Sequence, residues 1–246
     1  MESSSITILA VAGVFFVAGM VKGVIGLGLP TVAIGLLGLF LPPAQAAGLL
    51  VLPSLLTNFW QAGTGGRVLP LAGKLAPLLL GICAGAGLGT LLGWGLSGGD
   101  AAMARRFLGV ALVAYGLFGL LGRRMGLPPR MHGALGAASG LVTGLVTAAT
   151  GVFVMPAVPY LQSLGLERGT LLQGMGLSFA ISTLALAAAL PTGTLLGGGM
   201  LAGSALAILP TLLGMVAGQK LNLPPMAFRI LFFAGLLALG AHLALG

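Results

Sequence analysis

The sequence predicts an all-α polytopic membrane protein made of two inverted-topology repeats of about five segments each, with eight long helices and two short half-helices. Three observations predict it. Of 246 residues, 58% are hydrophobic and only 6% charged, with a mean hydropathy of +1.14, and apolar runs of about 20 residues, the length needed to cross a bilayer, recur from end to end. Short motifs of the first half return in the same order in the second, and duplication is the first thing to look for in a chain. The loop charges, counted below, sort to one side only if each half crosses the membrane an odd number of times.

In chain order, Met1 to Ser5 lacks a positive n-region, so no cleaved signal peptide is expected and Ile6 to Ile25 is the first membrane helix. Its end carries the stretch around which the rest is arranged, Gly19-Met-Val-Lys22-Gly-Val-Ile-Gly26-Leu-Gly28-Leu-Pro30. Glycine lets the backbone leave helical geometry, and Pro30 suits only the first turn of a new helix. A helix therefore ends near Ile25 and another runs from Pro30 to Leu41. Broken backbone at membrane depth persists only where protein or a water-filled cavity satisfies it, so such a break marks a site. The amides of a helix start favour an anion, and Lys22 adds a full positive charge.

Further segments follow at Ala44 to Ala62, Pro70 to Leu96 and Met103 to Leu121, then at Met131 to Ala149, Val152 to Leu164, Arg168 to Leu190, Leu195 to Ala217 and Pro224 to Leu245. The second and seventh segments, at about 12 residues, reach only about 18 Å as helix against a core of about 30 Å, which makes them half-helices. Gly19-Met-Val-Lys-Gly23 is echoed by Gly140-Leu-Val-Thr-Gly144, Leu79-Leu-Gly-Ile-Cys-Ala-Gly85 by Leu212-Leu-Gly-Met-Val-Ala-Gly218, and Met103-Ala-Arg-Arg106 by Met226-Ala-Phe-Arg229. The repeats are expected at 1–125 and 126–246. If only the long segments cross, Arg67, Lys74, Arg123, Arg124 and Arg130 oppose Arg105, Arg106, Arg168, Lys220 and Arg229, five against five. If the short ones return the chain as well, only Arg105 and Arg106 stand opposite the other eight, as the positive-inside rule requires. Both termini then lie outside the cytoplasm.

The charges and rare residues narrow the function. A net charge of +8 belongs here to loops and orientation, so no nucleic-acid partner is expected. The 44 glycines suit close helix packing. The single cysteine, Cys83, excludes an internal disulfide and reads as a small buried residue. Trp60, Trp94, Tyr115 and Tyr160 read as interface anchors or packing residues. No metal-ligand cluster, nucleotide loop or nucleophile triad is visible. Gly26 to Thr31 lacks the preceding strand and following lysine of a phosphate loop. Neither enzyme activity nor a cofactor is expected.

Lys22-Gly-Val-Ile-Gly-Leu-Gly-Leu-Pro30, the Leu41-Pro-Pro43 turn, Leu52-Pro-Ser-Leu-Leu-Thr-Asn-Phe-Trp-Gln61, and Gly140-Leu-Val-Thr-Gly-Leu-Val-Thr147 continuing to Met155-Pro-Ala-Val-Pro-Tyr-Leu-Gln162 together resemble the TauE/SafE, or toluene sulfonate uptake permease, family. The resemblance covers almost the whole chain. It implies a bacterial inner-membrane transporter of small sulfur-containing anions such as sulfite, sulfoacetate or other sulfonates, usually outward, with about eight spanning helices.

Lys22 is the only ionisable residue well inside a membrane segment apart from His242 near the far end, and Glu2, Asp100 and Glu167 all fall at ends or loops. A buried charge is a functional-site hypothesis. Either a substrate anion supplies its counter-charge, or Lys22 snorkels to the interface. The first break offers Gly26, Gly28, Pro30 and Thr31 beside it. The second offers Thr143, the positional equivalent of Lys22, with Thr147, Thr150 and Gly151; threonines there either bind oxyanions or bond one turn back along their own helix. Thr57, Asn58 and Gln61 lie within about one turn of one another, with Gln173 and Ser178 related in the second half. Asn58 and Gln173 are the stronger candidates, because an amide facing lipid is costly, with helix-to-helix bonding the alternative. With no intramembrane carboxylate for a proton relay, export driven by the membrane potential through alternating access is the favoured mechanism. A proton- or sodium-coupled importer and an anion channel are the alternatives.

Overall fold

The computed structural model describes residues 2–66, 68–98, 100–121, 126–191, 193–195, 197–221 and 224–245. Arg67, Arg123 and Arg124 of the loop-charge count lie outside them. The described residues form α-helices α1 (Glu2–Ile25), α2 (Leu29–Leu37), α3 (Pro43–Gly63), α4 (Val68–Leu91), α5 (Ala101–Leu121), α6 (His132–Thr150), α7 (Ala157–Ser163), α8 (Arg168–Ala189), α9 (Met200–Leu206), α10 (Ile208–Lys220) and α11 (Pro225–Leu245), with 3-10 turns at Gly95–Gly98 and Pro129–Met131. The chain is an all-α polytopic membrane protein. Among the described residues, seven stretches are long and apolar enough to cross a membrane: Ile6–Ile25, Val68–Leu91, Ala101–Leu121, Pro129–Thr150, Arg168–Ala189, Met200–Lys220 and Met226–Leu245.

Of the eight long segments expected, α3 at 21 residues has the length of a span, while its Gln45, Ser54, Thr57, Asn58 and Gln61 lower its hydropathy below that of these seven. Three expectations need correction. The run from Leu195 to Ala217 is not one helix; it begins at Met200 and is interrupted at Ala207, where Pro210 has no N–H to give the carbonyl one turn back. The segment expected from Val152 contains only the seven residues of α7. Val152, Phe153 and Val154 precede it as buried non-helical backbone, with Pro156 as the cap. Cys83 is exposed rather than buried, since the stripe of α4 that packs inward is Leu71, Leu75, Leu78, Gly81, Ile82, Gly85, Ala86 and Gly89. A thiol turned toward lipid is no worse placed than its apolar neighbours.

In two parallel pairs of helices that approach to backbone contact, the glycines that permit it are the sequence echoes. α1 lies parallel to α10: a Cβ on Gly19 or Gly23 would come within 2.2 Å of the Thr211 or Met215 carbonyl oxygen, and one on Gly214 or Gly218 within 2.0 or 2.1 Å of those of Phe16 and Met20. α4 lies parallel to α6 in the same way, with Gly140 and Gly144 at 2.2 Å from the Leu78 and Ile82 carbonyls and Gly81 and Gly85 at 2.5 and 2.0 Å from those of Ala137 and Leu141. Each of these glycine motifs thus meets a glycine motif of the other half of the chain through main chain, the packing that small residues allow in lipid. α5 and α11 run antiparallel, Gly109 against Gly240 and Ala244, and Gly119 against Phe233. Arg229 fastens this pair by donating from Nε and Nη2 to the Gly119 carbonyl at 3.0 and 2.6 Å. α3 and α8 are also antiparallel, with Gly176 against Asn58 and Ala62.

The short helices sit inside this frame. Eight of the nine residues of α2 are buried, as a helix apolar on all sides must be, and it packs on α1, α3, α5 and α11. At a rise of about 1.5 Å per residue, α2 and α7 reach about 14 Å and about 11 Å, each well short of the bilayer core.

Candidate functional site

The last helical turn of α1 closes with the Gly26 amide donating to the Lys22 carbonyl at 2.8 Å. Gly28 then takes φ +100 as the N-cap of α2, a conformation that L side chains avoid, and Pro30 enters the first turn of α2 without an N–H to satisfy. The first amides of α2 have no acceptor within the helix, and the Thr31 hydroxyl beside them is buried with no hydrogen-bond partner.

Three side chains of α3 close on this break. The Lys22 ammonium, only 4% exposed, donates to Thr57 Oγ1 at 3.1 Å and to Asn58 Oδ1. Thr57 donates in turn to the Pro53 carbonyl at 2.8 Å. Asn58 Nδ2 lies 3.5 Å from Ser54 Oγ and from Thr183 Oγ1. Gln61 Nε2 donates to the Gly26 carbonyl at 3.0 Å, main chain that the break leaves free, and to the Leu172 carbonyl of α8 at 2.9 Å. The charge of Lys22 therefore rests on two neutral oxygens, with no carboxylate partner among the described residues. Lys22 does not snorkel to a free surface.

Lys22, Gly26, Thr57, Gln61 and Leu172 border an open-sided cleft of about 230 Å³ whose rim includes Trp60 and Arg168. The volume suits a small solute. Two cations face it, one buried and one exposed.

The second break is built differently. α6 ends at Gly151 with φ +74, its amide donating to the Thr147 carbonyl at 2.8 Å. Thr143, Thr147 and Thr150 each donate to the carbonyl four residues back, Ser139, Thr143 and Val146, at 2.7 Å. Thr150 Oγ1 also accepts from the Val152 amide at 3.0 Å. Val152, Phe153 and Val154 are fully buried. A Cβ on Gly151 would meet Ile34 Cδ1 at 2.2 Å, so α2 is seated on this break.

Of the residues singled out in the sequence, Lys22 and Gly26 line the cleft, Asn58 holds Lys22 from beneath, and Gly28, Pro30 and Thr31 form the buried start of α2. Thr143, Thr147, Thr150 and Gly151 lie apart from the cleft lining. Gln173 donates to the Ala62 carbonyl at 2.8 Å and Ser178 to the Gly174 carbonyl at 2.9 Å, which ties α8 to α3 and to itself. Thr57 and Gln61 are the direct partners that spacing alone placed beside Asn58. Arg168 is visible in the sequence only as a loop charge, and Gln219, which also lines the cleft, gives no signal at all.

Known proteins supply one further finding. No curated protein and no solved structure matches the chain. A family model described as "Sulfite exporter TauE/SafE" matches residues 11–243, nearly the whole of a polytopic chain with a cationic cleft at a broken helix, and the protein belongs to that family.

Proposed function

We propose that the protein exports a small sulfur-containing anion, such as sulfite, sulfoacetate or another organosulfonate, by alternating access between two inverted units. A TauE/SafE-family member is a membrane transporter of small anions and not an enzyme; the sulfur chemistry, the direction and the mechanism are what is proposed. The observation that carries the reading is Lys22, a buried cation on neutral partners at the floor of a cleft. A buried charge is costly without an opposite one, and a substrate anion is the counter-charge that the site lacks.

Inverted repeats at 1–125 and 126–246 are supported by exchange symmetry in the packing. Exchanging the halves turns the α1/α10 pair into the α6/α4 pair, and the equivalent helices α3 and α8, like α5 and α11, lie antiparallel. Alternating access is supported by the contrast between a cleft at the first break and buried chain at the second, which favours it over a continuous channel. In the orientation that places Lys74, Arg130, Arg168 and Lys220 in the cytoplasm of a bacterium, with both termini outside, the cleft opens inward. Moving one negative charge outward then releases about 2.3 kcal/mol per 100 mV, so export needs no coupling ion.

The test is flux in proteoliposomes loaded with sulfite or sulfoacetate under an imposed potential. Efflux that rises with the potential and needs no cation gradient is expected. Flux that requires a proton or sodium gradient would establish the coupled importer instead.

A further inference from the structure

A second cleft, of about 430 Å³, lies past the opposite end of α2 from Gly26, between the α2–α3 turn, the start of α5 and the end of α11. Its walls are Leu39 to Pro43, Ala101, Ala102 and Leu243, and among the described residues its only charged lining is Arg105 and Arg106. Arg105 is half-buried and Arg106 exposed, and neither has a hydrogen-bond or ion-pair partner among the described residues. The nearest acid in sequence, Asp100, is engaged otherwise: its Oδ1 accepts from the Ala102 and Met103 amides at 2.9 and 3.0 Å. Arg106 also differs from its counterpart in the sequence echo. Arg229 is spent on the Gly119 carbonyl at the end of α5, whereas Arg106 borders open space beside Leu243 of α11.

We propose that this cleft binds an anionic phospholipid, its phosphate held by Arg105 and Arg106 and the upper part of its chains against Leu39, Phe40 and Leu243. Two arginines without partners attract a phosphate by charge and by charge-assisted hydrogen bonds, and clustered basic residues beside membrane helices recruit anionic headgroups. The walls favour a lipid over a free anion. Apart from the two arginines they are apolar, and the neighbouring surface carries Leu39 at 44%, Phe40 at 45%, Phe107 at 40% and Leu245 at 90% exposure, a face suited to hydrocarbon. This assignment is independent of the transport reading and survives if that reading fails.

Delipidated full-length protein titrated with phosphatidylglycerol and phosphatidylcholine of identical chains, with adducts counted by native mass spectrometry, tests it. Phosphatidylglycerol is expected to bind roughly tenfold more tightly. R105Q/R106Q should bring the two lipids within about twofold of each other, while R105K/R106K keeps most of the preference and R130Q, a charge lost elsewhere, keeps all of it. An unchanged preference in R105Q/R106Q overturns the proposal, as does an equal loss in the lysine variant. Glycerol 3-phosphate that displaces the lipid at the lipid's own concentration also overturns it, since the cleft would then hold a soluble anion.

Discussion

The two helix breaks are written in the same residues, glycine and proline between apolar runs, and they end in opposite conditions. At the first, the polar groups reach across the fold: Lys22 to Thr57 and Asn58, and Gln61 to Gly26 and Leu172. At the second, Thr143, Thr147 and Thr150 turn back onto their own helix, and Ile34 covers Gly151. A break whose hydroxyls satisfy their own carbonyls can be buried in apolar side chains at little cost. One that holds a cation has to keep polar neighbours and space beside it. The two breaks therefore differ in the direction in which their polar side chains bond.

The largest expected effect is at Lys22. Lys22→Met should cut anion flux in proteoliposomes by at least about tenfold, equivalent to about 1.4 kcal/mol, with normal yield of folded protein. The matching change at the second break, Thr143→Val, should leave flux within about twofold, because the Thr143 hydroxyl bonds to the Ser139 carbonyl of its own helix. Equal losses in the two variants would erase the distinction between the breaks.

Next comes the strut of the first break. Gln61→Leu removes the bonds that tie α3 to the part-buried Gly26 and Leu172 carbonyls, and a hydrogen bond of this kind contributes about 0.5–1.5 kcal/mol. A Tm lowered by several degrees is expected, against little change for Thr147→Val. Smaller again are Gly28→Ala and Gly151→Ala. Both place an L side chain at positive φ, a penalty of about 1–2 kcal/mol. In Gly151→Ala the Cβ meets the end of Ile34, and in Gly28→Ala it meets Val21 and Phe232, so both should destabilise to a similar degree in thermal melts. Ile34→Val, which shortens the side chain on Gly151, should relieve part of the Gly151→Ala defect and none of the Gly28→Ala defect.

How much of this was legible in the sequence follows from the range of the interactions. The end of α1 at Ile25 and the start of α2 at Leu29 were readable because local backbone chemistry sets them. The glycine echoes were readable as spacing, and their partners became visible only once α1 lay on α10 and α4 on α6. Val152 to Val154 read as helix because they are apolar; Gly151 before them and Pro156 after them keep them out of one. Gln61 could be placed beside Asn58 by spacing, but its acceptors lie 35 and 111 residues away. Sequence separation of that size has no local signature. For the same reason, the inward stripe of α4, and with it the outward position of Cys83, depended on which neighbour α4 would find.

The most direct test is calorimetric binding of sulfite and sulfoacetate to the purified wild type and to Lys22→Met. If Lys22 is the counter-charge of the transported anion, the wild type binds at least one of the two and the variant loses at least about tenfold in affinity. Equal affinity in both proteins would contradict the account and return Lys22 to a structural role.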